Sequence, residues 1–256
     1  MVEIVPLDTD AEVATLAADT IEALVRARPA AVLGLATGSS PVAMYAELVA
    51  RHRTGTGPSY AEVRAFLLDE YVGLPPGHPQ SYRATIAREL TDDLGLPADR
   101  VHSPDPTDLP TAGAAYEAQL AEAGGVDLQV LGIGSDGHLA FNEPGSSLSS
   151  TTRIKTLTEQ TRRDNARFFG SLDLVPHHVL TQGLGTILRA RHLLLIAIGA
   201  GKAAAVEGPL SASCPASVLQ LHPHATVLLD AEAASRLERA DHYREVYAAK
   251  PDWQGL

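Results

Sequence analysis

The sequence is poor in the residues that mark disulfide-bonded, cysteine–zinc and membrane proteins. Among its 256 residues the single cysteine is Cys214, which excludes an internal disulfide and a zinc site built of several cysteines. No apolar run approaches the roughly 20 residues that a membrane-spanning helix needs. The N-terminal segment carries Glu3 and Asp8 but no basic stretch, so we expect no secretory signal and a cytoplasmic location.

Positive charge is also scarce. The formal net charge is −11 at pH 7, and no basic stretch is longer than Arg162-Arg163. We therefore expect neither nucleic acid nor membrane as a partner, because both attract concentrated positive charge. Among 20 basic residues only Lys155, Lys202 and Lys250 are lysines. A lysine retained in such an arginine-rich set can have a function that needs its compact ammonium group. Neutral sequence drift is the alternative explanation.

Short apolar segments alternate with helical segments along the chain. The capping box formed by Thr9 and Glu12 begins a helix that runs toward Arg28. The pattern predicts strands from Val2 and at residues 31–35, 65–68, 128–133, 193–198 and 225–229, and a C-terminal helix around residues 231–247. This alternation is typical of a three-layer, doubly wound α/β fold of Rossmann-like type, in which helices cover both faces of a mainly parallel sheet. No linker or repeat divides the chain, so residues 1–256 are expected to form one domain.

Polar loops follow four of the predicted strands. They are Thr37-Gly38-Ser39-Ser40, Asp69-Glu70, the stretch from Gly134 to His138, and Gly199-Ala200-Gly201-Lys202. Ligands of parallel α/β sheets bind at the carboxyl ends of the strands. The four loops are therefore expected to converge on one site.

The segment Thr37-Gly38-Ser39-Ser40 has the composition of a phosphate-binding loop. Glycine lets the backbone approach a ligand, and Pro41 as first helical residue leaves the next N–H groups free at the positive end of the helix. An ordinary helix cap would use the same residues. Lys202 and Arg167 are candidate phosphate partners because their cationic groups donate strong hydrogen bonds. A solvated surface cation is the alternative for each.

Candidate acid–base groups follow two of the strands. Asp69 can act as a general base, more so if it is partly desolvated, whereas a solvated acidic turn is the alternative. His138 is flanked by Asp136 and Glu143, and either carboxylate could fix the imidazole tautomer and stabilise its protonated form. Two acids and a histidine also form a facial metal triad, and the glycines of this stretch also suit a structural turn.

Taken together and in order, these segments resemble glucosamine-6-phosphate deaminases, and the matching stretches run from the N-terminal strand to Tyr243. The most specific are Asp69-Glu70-Tyr71-Val72-Gly73-Leu74, His78-Pro79-Gln80-Ser81-Tyr82 and Asp136-Gly137-His138-Leu139-Ala140-Phe141-Asn142-Glu143-Pro144. The segments Thr152-Arg153-Ile154-Lys155-Thr156-Leu157-Thr158 and Leu219-Gln220-Leu221-His222-Pro223 also match. One departure is Ser39-Ser40, where better-known members have Gly-Thr, but serine keeps the hydroxyl and the backbone donor.

The resemblance implies an enzyme of amino-sugar catabolism that converts glucosamine 6-phosphate to fructose 6-phosphate and ammonia without a cofactor or a metal. By resemblance, Asp69 moves the C2 proton and His138 opens the sugar ring, with Asp136 and Glu143 orienting the imidazole. The same resemblance assigns the substrate phosphate to Thr37, Gly38, Ser39, Ser40, Arg167 and Lys202.

Two other functions share this general fold. A 6-phosphogluconolactonase has a similar Asp-Gly-His loop, but the Asp69 motif and Phe141-Asn142-Glu143-Pro144 resemble the deaminase. A sugar-phosphate-sensing regulatory domain normally follows a DNA-binding helix-turn-helix. Because a strand is predicted from Val2, we expect no such segment ahead of it.

The resemblance also implies regulation and assembly. In allosteric hexameric members of the family, N-acetylglucosamine 6-phosphate binds between subunits through residues that match Ser146, Ser147, Arg153, Lys155 and Tyr243. We therefore expect a homo-oligomer, with a hexamer as the allosteric form. A mobile lid is expected around residues 145–180.

Overall fold

Strands and helices alternate through most of the computed structural model, which describes residues 2–207, 210–251 and 254–256. The strands are β1 (Val2–Pro6), β2 (Val32–Leu35), β3 (Arg64–Leu67), β4 (Asp69–Tyr71), β5 (Val101–His102), β6 (Leu128–Gly132), β7 (Arg153–Thr156), β8 (His178–Thr181), β9 (His192–Ala197) and β10 (Ala225–Leu229). The α-helices are α1 (Asp10–Ala27), α2 (Val42–Arg53), α3 (Tyr82–Ile86), α4 (Leu109–Glu122), α5 (Glu159–Phe169), α6 (Leu184–Ile187), α7 (Ala203–Glu207) and α8 (Ala240–Ala248). None of these helices is long and apolar enough to cross a membrane.

Seven parallel strands form the large sheet, in the order β1-β10-β9-β6-β2-β3-β5. After β2 the chain adds β3 and β5 on one side, and after β6 it adds β9 and β10 on the other. The direction of winding therefore reverses between β2 and β6, which pair at Leu33 and Leu128. This arrangement confirms the predicted three-layer, doubly wound α/β class, whose ligands bind where the winding reverses.

Local sequence explains why α1 begins and packs as it does. The side chain of Thr9 accepts a hydrogen bond from the Glu12 N–H, and the Glu12 carboxylate accepts one from the Thr9 N–H at 3.0 Å. Val13, Ala17 and Ile21, spaced by about one helical turn, are almost fully buried in the main core. Full burial of a valine or isoleucine contributes about 1.5–3 kcal/mol. The predicted capping box and apolar face are both confirmed.

Three short antiparallel strands form a second, smaller sheet in the order β4-β8-β7. Strand β4 begins two residues after the end of β3, so this sheet extends from the carboxyl end of the large one. Asp69 lies directly opposite Thr181, and Thr181 lies directly opposite Arg153. The small sheet therefore joins the Asp69 motif to two distant parts of the chain.

The predicted C-terminal helix around residues 231–247 is wrong in its first half. Residues 231–236 form turns, and the helix α8 begins only at Ala240. The Asp230 carboxylate accepts hydrogen bonds from the N–H groups of Gly199 and Ala233, while the Ser235 hydroxyl donates to the Glu232 carbonyl at 2.6 Å. Such side-chain bonds to the backbone compete with helix formation.

Candidate active site

A cavity of about 810 Å³ lies at the carboxyl ends of β2, β3, β6 and β9. Its wall includes Thr37, Asp69, His138 and Lys202, one from each polar loop that follows these strands. The predicted convergence of the four loops is therefore confirmed. The cavity lies at the reversal of winding between β2 and β6, where this class of fold places its ligands.

The loop after β2 turns sharply into the cavity. Thr37, Gly38, Ser39 and Ser40 all line the wall, and Gly38 has a φ of 109°, a conformation that favours glycine. Pro41 is the residue before α2 rather than the first helical residue, and no side chain caps the helix. The first N–H groups of this 12-residue helix are thus left for a ligand at its positive end.

Two cations, Lys202 and Arg167, line the same cavity. Burial lowers the pKa of Lys202, while the Asp136 carboxylate opposes that change and the Arg167 guanidinium adds to it. Arg167 lies in the last turn of α5, with its guanidinium carbon 4.7 Å from the centre of the Phe168 ring. Two neighbouring cations beside a helix N-terminus suit a doubly charged phosphate.

Asp69 is a buried carboxylate in the wall of the cavity, only 6% exposed. Burial, and then the adjacent Glu70 carboxylate, raises the pKa of Asp69 well above its ordinary value. Glu70 itself is held by the N–H groups of Tyr71, Tyr82 and Arg83, at 2.9–3.0 Å. A desolvated carboxylate with a raised pKa is a stronger base than one in water.

His138 lies in the wall, with its imidazole one-third exposed. Its Nδ1 is 2.6 Å from Oδ1 of Asp136, which also accepts from the backbone N–H of His138 at 3.2 Å. The ring packs directly over Gly134, where any β-carbon would lie 2.2 Å from ring atoms. The glycine is therefore required by the position of the imidazole.

Glu143 differs from the arrangement expected for it. Its Oε1 accepts hydrogen bonds from the hydroxyls of Thr161 at 2.7 Å and Thr158 at 3.3 Å, at the N-terminus of α5. Among the described residues its hydrogen bonds thus go to α5, and only Asp136 bonds the imidazole of His138. The sequence spacing predicts both acids near His138. In the structure the chain after Glu143 folds back, so that the hydroxyls of Thr158 and Thr161 bond the Glu143 carboxylate instead.

The five residues expected to bind an activator lie on several different elements of the chain. The Ser146 hydroxyl is buried and has no hydrogen-bond partner among the described residues, while the Ser147 hydroxyl bonds that of Ser149. Arg153 donates to Asn142 at 2.8 Å. Lys155 lies two residues further along β7 in the small sheet, whereas Tyr243 lies on α8, which packs against β1 at the edge of the large sheet.

An aromatic wall of the cavity was not assigned a role from the sequence. Tyr71 and Tyr82 stack with ring centres 4.7 Å apart, and their hydroxyls are 3.0 Å apart. Phe141 and Phe169 pack around Tyr71 and also line the cavity. Burial raises the pKa of Tyr71 to about 12, so its hydroxyl stays protonated. The position of Tyr71 two residues after Asp69 on one short strand is the signal that could have identified it.

No three side chains of His, Cys, Asp or Glu converge as a metal site within the part of the chain that the structure describes. Asp136 and His138 are paired, but Glu143 bonds α5, so the facial triad considered from the sequence does not assemble here. A metal-independent reaction remains a prediction. The single cysteine, Cys214, packs its sulfur against Gly137.

Comparison with known proteins gives concordant matches. Residues 8–230 match the family of glucosamine-6-phosphate isomerases and 6-phosphogluconolactonases. A glucosamine-6-phosphate deaminase of Pseudarthrobacter chlorophenolicus is 61% identical, with 99% of this chain and 100% of that protein covered. A solved monomeric glucosamine-6-phosphate deaminase is 40% identical with a TM-score of 0.88, covering 91% of this chain and 99% of that one. A 6-phosphogluconolactonase from Trypanosoma cruzi, 21% identical over 93% of this chain and 97% of that one, shares the fold with a TM-score of 0.73.

Proposed function

The chain belongs to the family of glucosamine-6-phosphate isomerases and 6-phosphogluconolactonases, and we propose that it converts glucosamine 6-phosphate to fructose 6-phosphate and ammonia. The observation that carries this proposal is one cavity lined by a buried carboxylate, Asp69, and a carboxylate-paired imidazole, His138. Isomerisation with deamination needs both a base for a C–H proton and an acid for the ring oxygen. The identity of 61% to a named deaminase over the whole chain supports the same reaction.

Substrate binding begins at the phosphate. The loop of Thr37 to Ser40 offers backbone N–H and hydroxyl donors at the N-terminus of α2, and Lys202 and Arg167 supply positive charge. The N–H groups of Gly199 and Ala200 already donate to Asp230 and Glu232. The Lys202 N–H donates to the Gly199 carbonyl at 3.0 Å, so Lys202 contributes its side chain rather than its own backbone donor to the phosphate.

Ring opening is the task of His138. A protonated imidazole donates to the ring oxygen as the C1–O5 bond breaks, while the C1 hydroxyl loses its proton to water, which leaves an aldehyde at C1 and a hydroxyl at C5. The Asp136 carboxylate, 2.6 Å from Nδ1, stabilises the positive charge of the imidazolium and leaves Nε2 to face the sugar. Glu143 holds the start of α5 and thereby the side of the cavity that carries Arg167.

Proton transfer is the task of Asp69. The aldehyde acidifies the C2–H bond, so the carboxylate can remove that proton while the aldehyde oxygen takes up a proton from water, which gives an enolamine. The carboxyl group then returns its proton to C1. The resulting imine at C2 is hydrolysed by water, which becomes the ketone oxygen while ammonia leaves. Atoms balance with one water consumed and one ammonia released, and no electrons pass to another molecule.

A comparison of activity on two substrates tests the proposal. We expect turnover of glucosamine 6-phosphate, measured by ammonia release, and little or no hydrolysis of 6-phosphogluconolactone by the same preparation. Hydrolysis of the lactone with no ammonia from the amino sugar would instead support the lactonase alternative.

Assembly, regulation and location are further parts of the proposal. We propose a homo-oligomer that N-acetylglucosamine 6-phosphate activates through Ser146, Ser147, Arg153, Lys155 and Tyr243, and a cytoplasmic enzyme. The location of Tyr243 on α8, which packs against β1, rather than on β7, suits a site that two subunits complete. The related deaminase of known structure is described as monomeric, so the native mass in solution is the measurement that decides the subunit number.

A mobile lid around residues 145–180, within a single domain of residues 1–256, completes the proposal. Helix α5 has no buried residue, yet it contributes Arg167 and Phe168 to the cavity wall. A helix held at its N-terminus by Glu143 and packed against Tyr71 through Phe169, its last residue, can close over a bound sugar phosphate.

A further inference from the structure

One row of the small sheet carries Asp69, Thr181 and Arg153. Asp69 pairs with Thr181, and Thr181 pairs with Arg153, so the three residues lie side by side on neighbouring strands. Side chains that are directly opposite in a sheet point to the same face. Asp69 is 6% exposed and Thr181 is fully buried. The proposed base therefore shares one buried face with two side chains that belong to distant segments.

The segment after His138 is bonded to this row at two consecutive residues. The Phe141 N–H donates to the Thr181 hydroxyl oxygen at 3.2 Å. The Arg153 guanidinium donates to the side-chain oxygen of Asn142 at 2.8 Å. The loop that carries the ring-opening imidazole is thus bonded to both strands that extend the row from Asp69.

Asn142 links these contacts to the backbone next to His138. Its side-chain amide donates to the Leu139 carbonyl at 3.0 Å and to the Gln182 carbonyl at 2.8 Å, and it has no exposed surface. Leu139 directly follows His138 in the chain. A displacement of Asn142 would therefore move the backbone that bears the imidazole.

The turn between His138 and Phe141 contains a strained residue that needs stabilising contacts from the surrounding structure. Ala140 has a φ of 51°, and it is the one non-glycine residue with a positive φ among those that the structure describes. An alanine in this left-handed conformation is disfavoured unless the surrounding contacts determine it. The contacts at Phe141 and Asn142 flank it on one side, and the bond from the Gly134 N–H to the His138 carbonyl at 2.9 Å flanks it on the other.

We propose that Thr181 and Arg153 are positioning residues that hold His138 in register with Asp69. The inference rests on the proposed function, in which ring opening by His138 and proton transfer by Asp69 act on the same sugar. Neither Thr181 nor Arg153 is among the residues that line the cavity, so both act through the Phe141–Asn142 segment. Arg153 thereby has a role in basal turnover that needs no activator.

Thr181→Val tests the proposal because valine keeps the shape and removes the hydroxyl acceptor. We expect kcat to fall on the order of 10-fold, since small displacements of catalytic groups have effects of this size or larger. KM should stay within about 2-fold because the phosphate loop and Lys202 belong to other elements. In a His138→Asn background the same substitution should lower kcat no further, because the group that it positions is gone.

The matched control is Thr186→Val. Thr186 is also a buried threonine whose hydroxyl is hydrogen-bonded, in this case to Glu117 on α4, and its substitution should leave kcat unchanged. The imidazole resonances of His138 give a reading that does not depend on turnover, and they should shift in Thr181→Val but not in Thr186→Val. If Thr181→Val folds poorly, Arg153→Met is measured in its place, without activator, for the same effects on kcat and on the His138 resonances.

Two results would overturn the positioning role. One is a Thr181→Val enzyme with normal kcat and unchanged His138 resonances. The other is an equal loss of kcat in the native and His138→Asn backgrounds, which would mean that Thr181 acts independently of the imidazole. Absence of ammonia release by the native protein would count against the proposed function, whereas the His138 resonances would still test the positioning role.

Discussion

The carboxylate of Asp136 lies 2.6 Å from Nδ1 of His138, and its charge also raises the pKa of Lys202 against the opposing effect of burial. One acid thus interacts with both the proposed ring-opening group and a proposed phosphate-binding group. The carboxylate that pairs with the imidazole therefore also opposes the lowering of the Lys202 pKa by burial.

Asp136→Asn should lower kcat on the order of 10²-fold. The amide can keep the contact but cannot stabilise the imidazolium, and it permits the opposite tautomer. Steady-state kinetics on glucosamine 6-phosphate measure the effect, with Asp173→Asn, an exposed acid near the end of α5, as the control. A kcat within about 2-fold of native would show that Asp136 does not support the imidazole.

Asp69→Asn should lower kcat by about 10²–10⁴-fold, which is typical of a lost general base. It should also change how stability depends on pH. The pKa of Asp69 is raised in the folded state, so its contribution to the free energy of unfolding is complete below the ordinary pKa and is lost as the pH rises through the folded-state pKa.

Because asparagine cannot ionise, the free energy of unfolding of Asp69→Asn relative to native should increase as the pH rises above about 4, the ordinary pKa of an aspartate. Urea denaturation of both proteins at several pH values measures this difference in the free energy of unfolding. An active Asp69→Asn variant would show that another group moves the proton. A stability difference that does not change with pH would show that burial does not raise the pKa of Asp69.

Lys202→Ala should raise KM about 10-fold or more while kcat changes little. A charge-assisted hydrogen bond to the phosphate would be lost, and it is made equally in the ground state and the transition state. Arg244→Ala, which removes an exposed cation on α8 that pairs with Asp241, should leave KM unchanged. A Lys202→Ala enzyme with native KM would remove this lysine from the phosphate site.

N-acetylglucosamine 6-phosphate should shift the substrate saturation curve of the native protein to lower concentrations. An activator must bind the active arrangement more tightly than the resting one, and the Lys155 ammonium is the proposed partner of its phosphate. The shift should be absent in Lys155→Ala. Native curves that superimpose with and without the acetylated sugar would mean that these residues have no regulatory role here.

Features encoded by neighbouring residues were predictable from the sequence. The capping box at Thr9 and the strand at Ala225–Leu229 agree with the structure residue for residue, because each depends on contacts within a few residues. The convergence of four loops was also predictable, since parallel strands bring their carboxyl ends to one edge of a sheet.

Features that depend on distant residues were not predictable. The row of Asp69, Thr181 and Arg153 joins three strands of only three or four residues, too short for a clear period-2 pattern. Glu143 was placed near His138 by its sequence spacing, but its partners Thr158 and Thr161 arrive through a fold of the intervening chain. Side-chain partners of this kind require knowledge of the whole loop.

The central claim is tested most directly by measuring ammonia and fructose 6-phosphate together, from glucosamine 6-phosphate and the native protein after exhaustive treatment with EDTA. We predict that both products form in equal amounts, at the same rate as with untreated protein. Failure to release ammonia from the amino sugar would contradict the assigned reaction, and turnover lost with EDTA and restored by a divalent ion would contradict its metal-free acid–base chemistry.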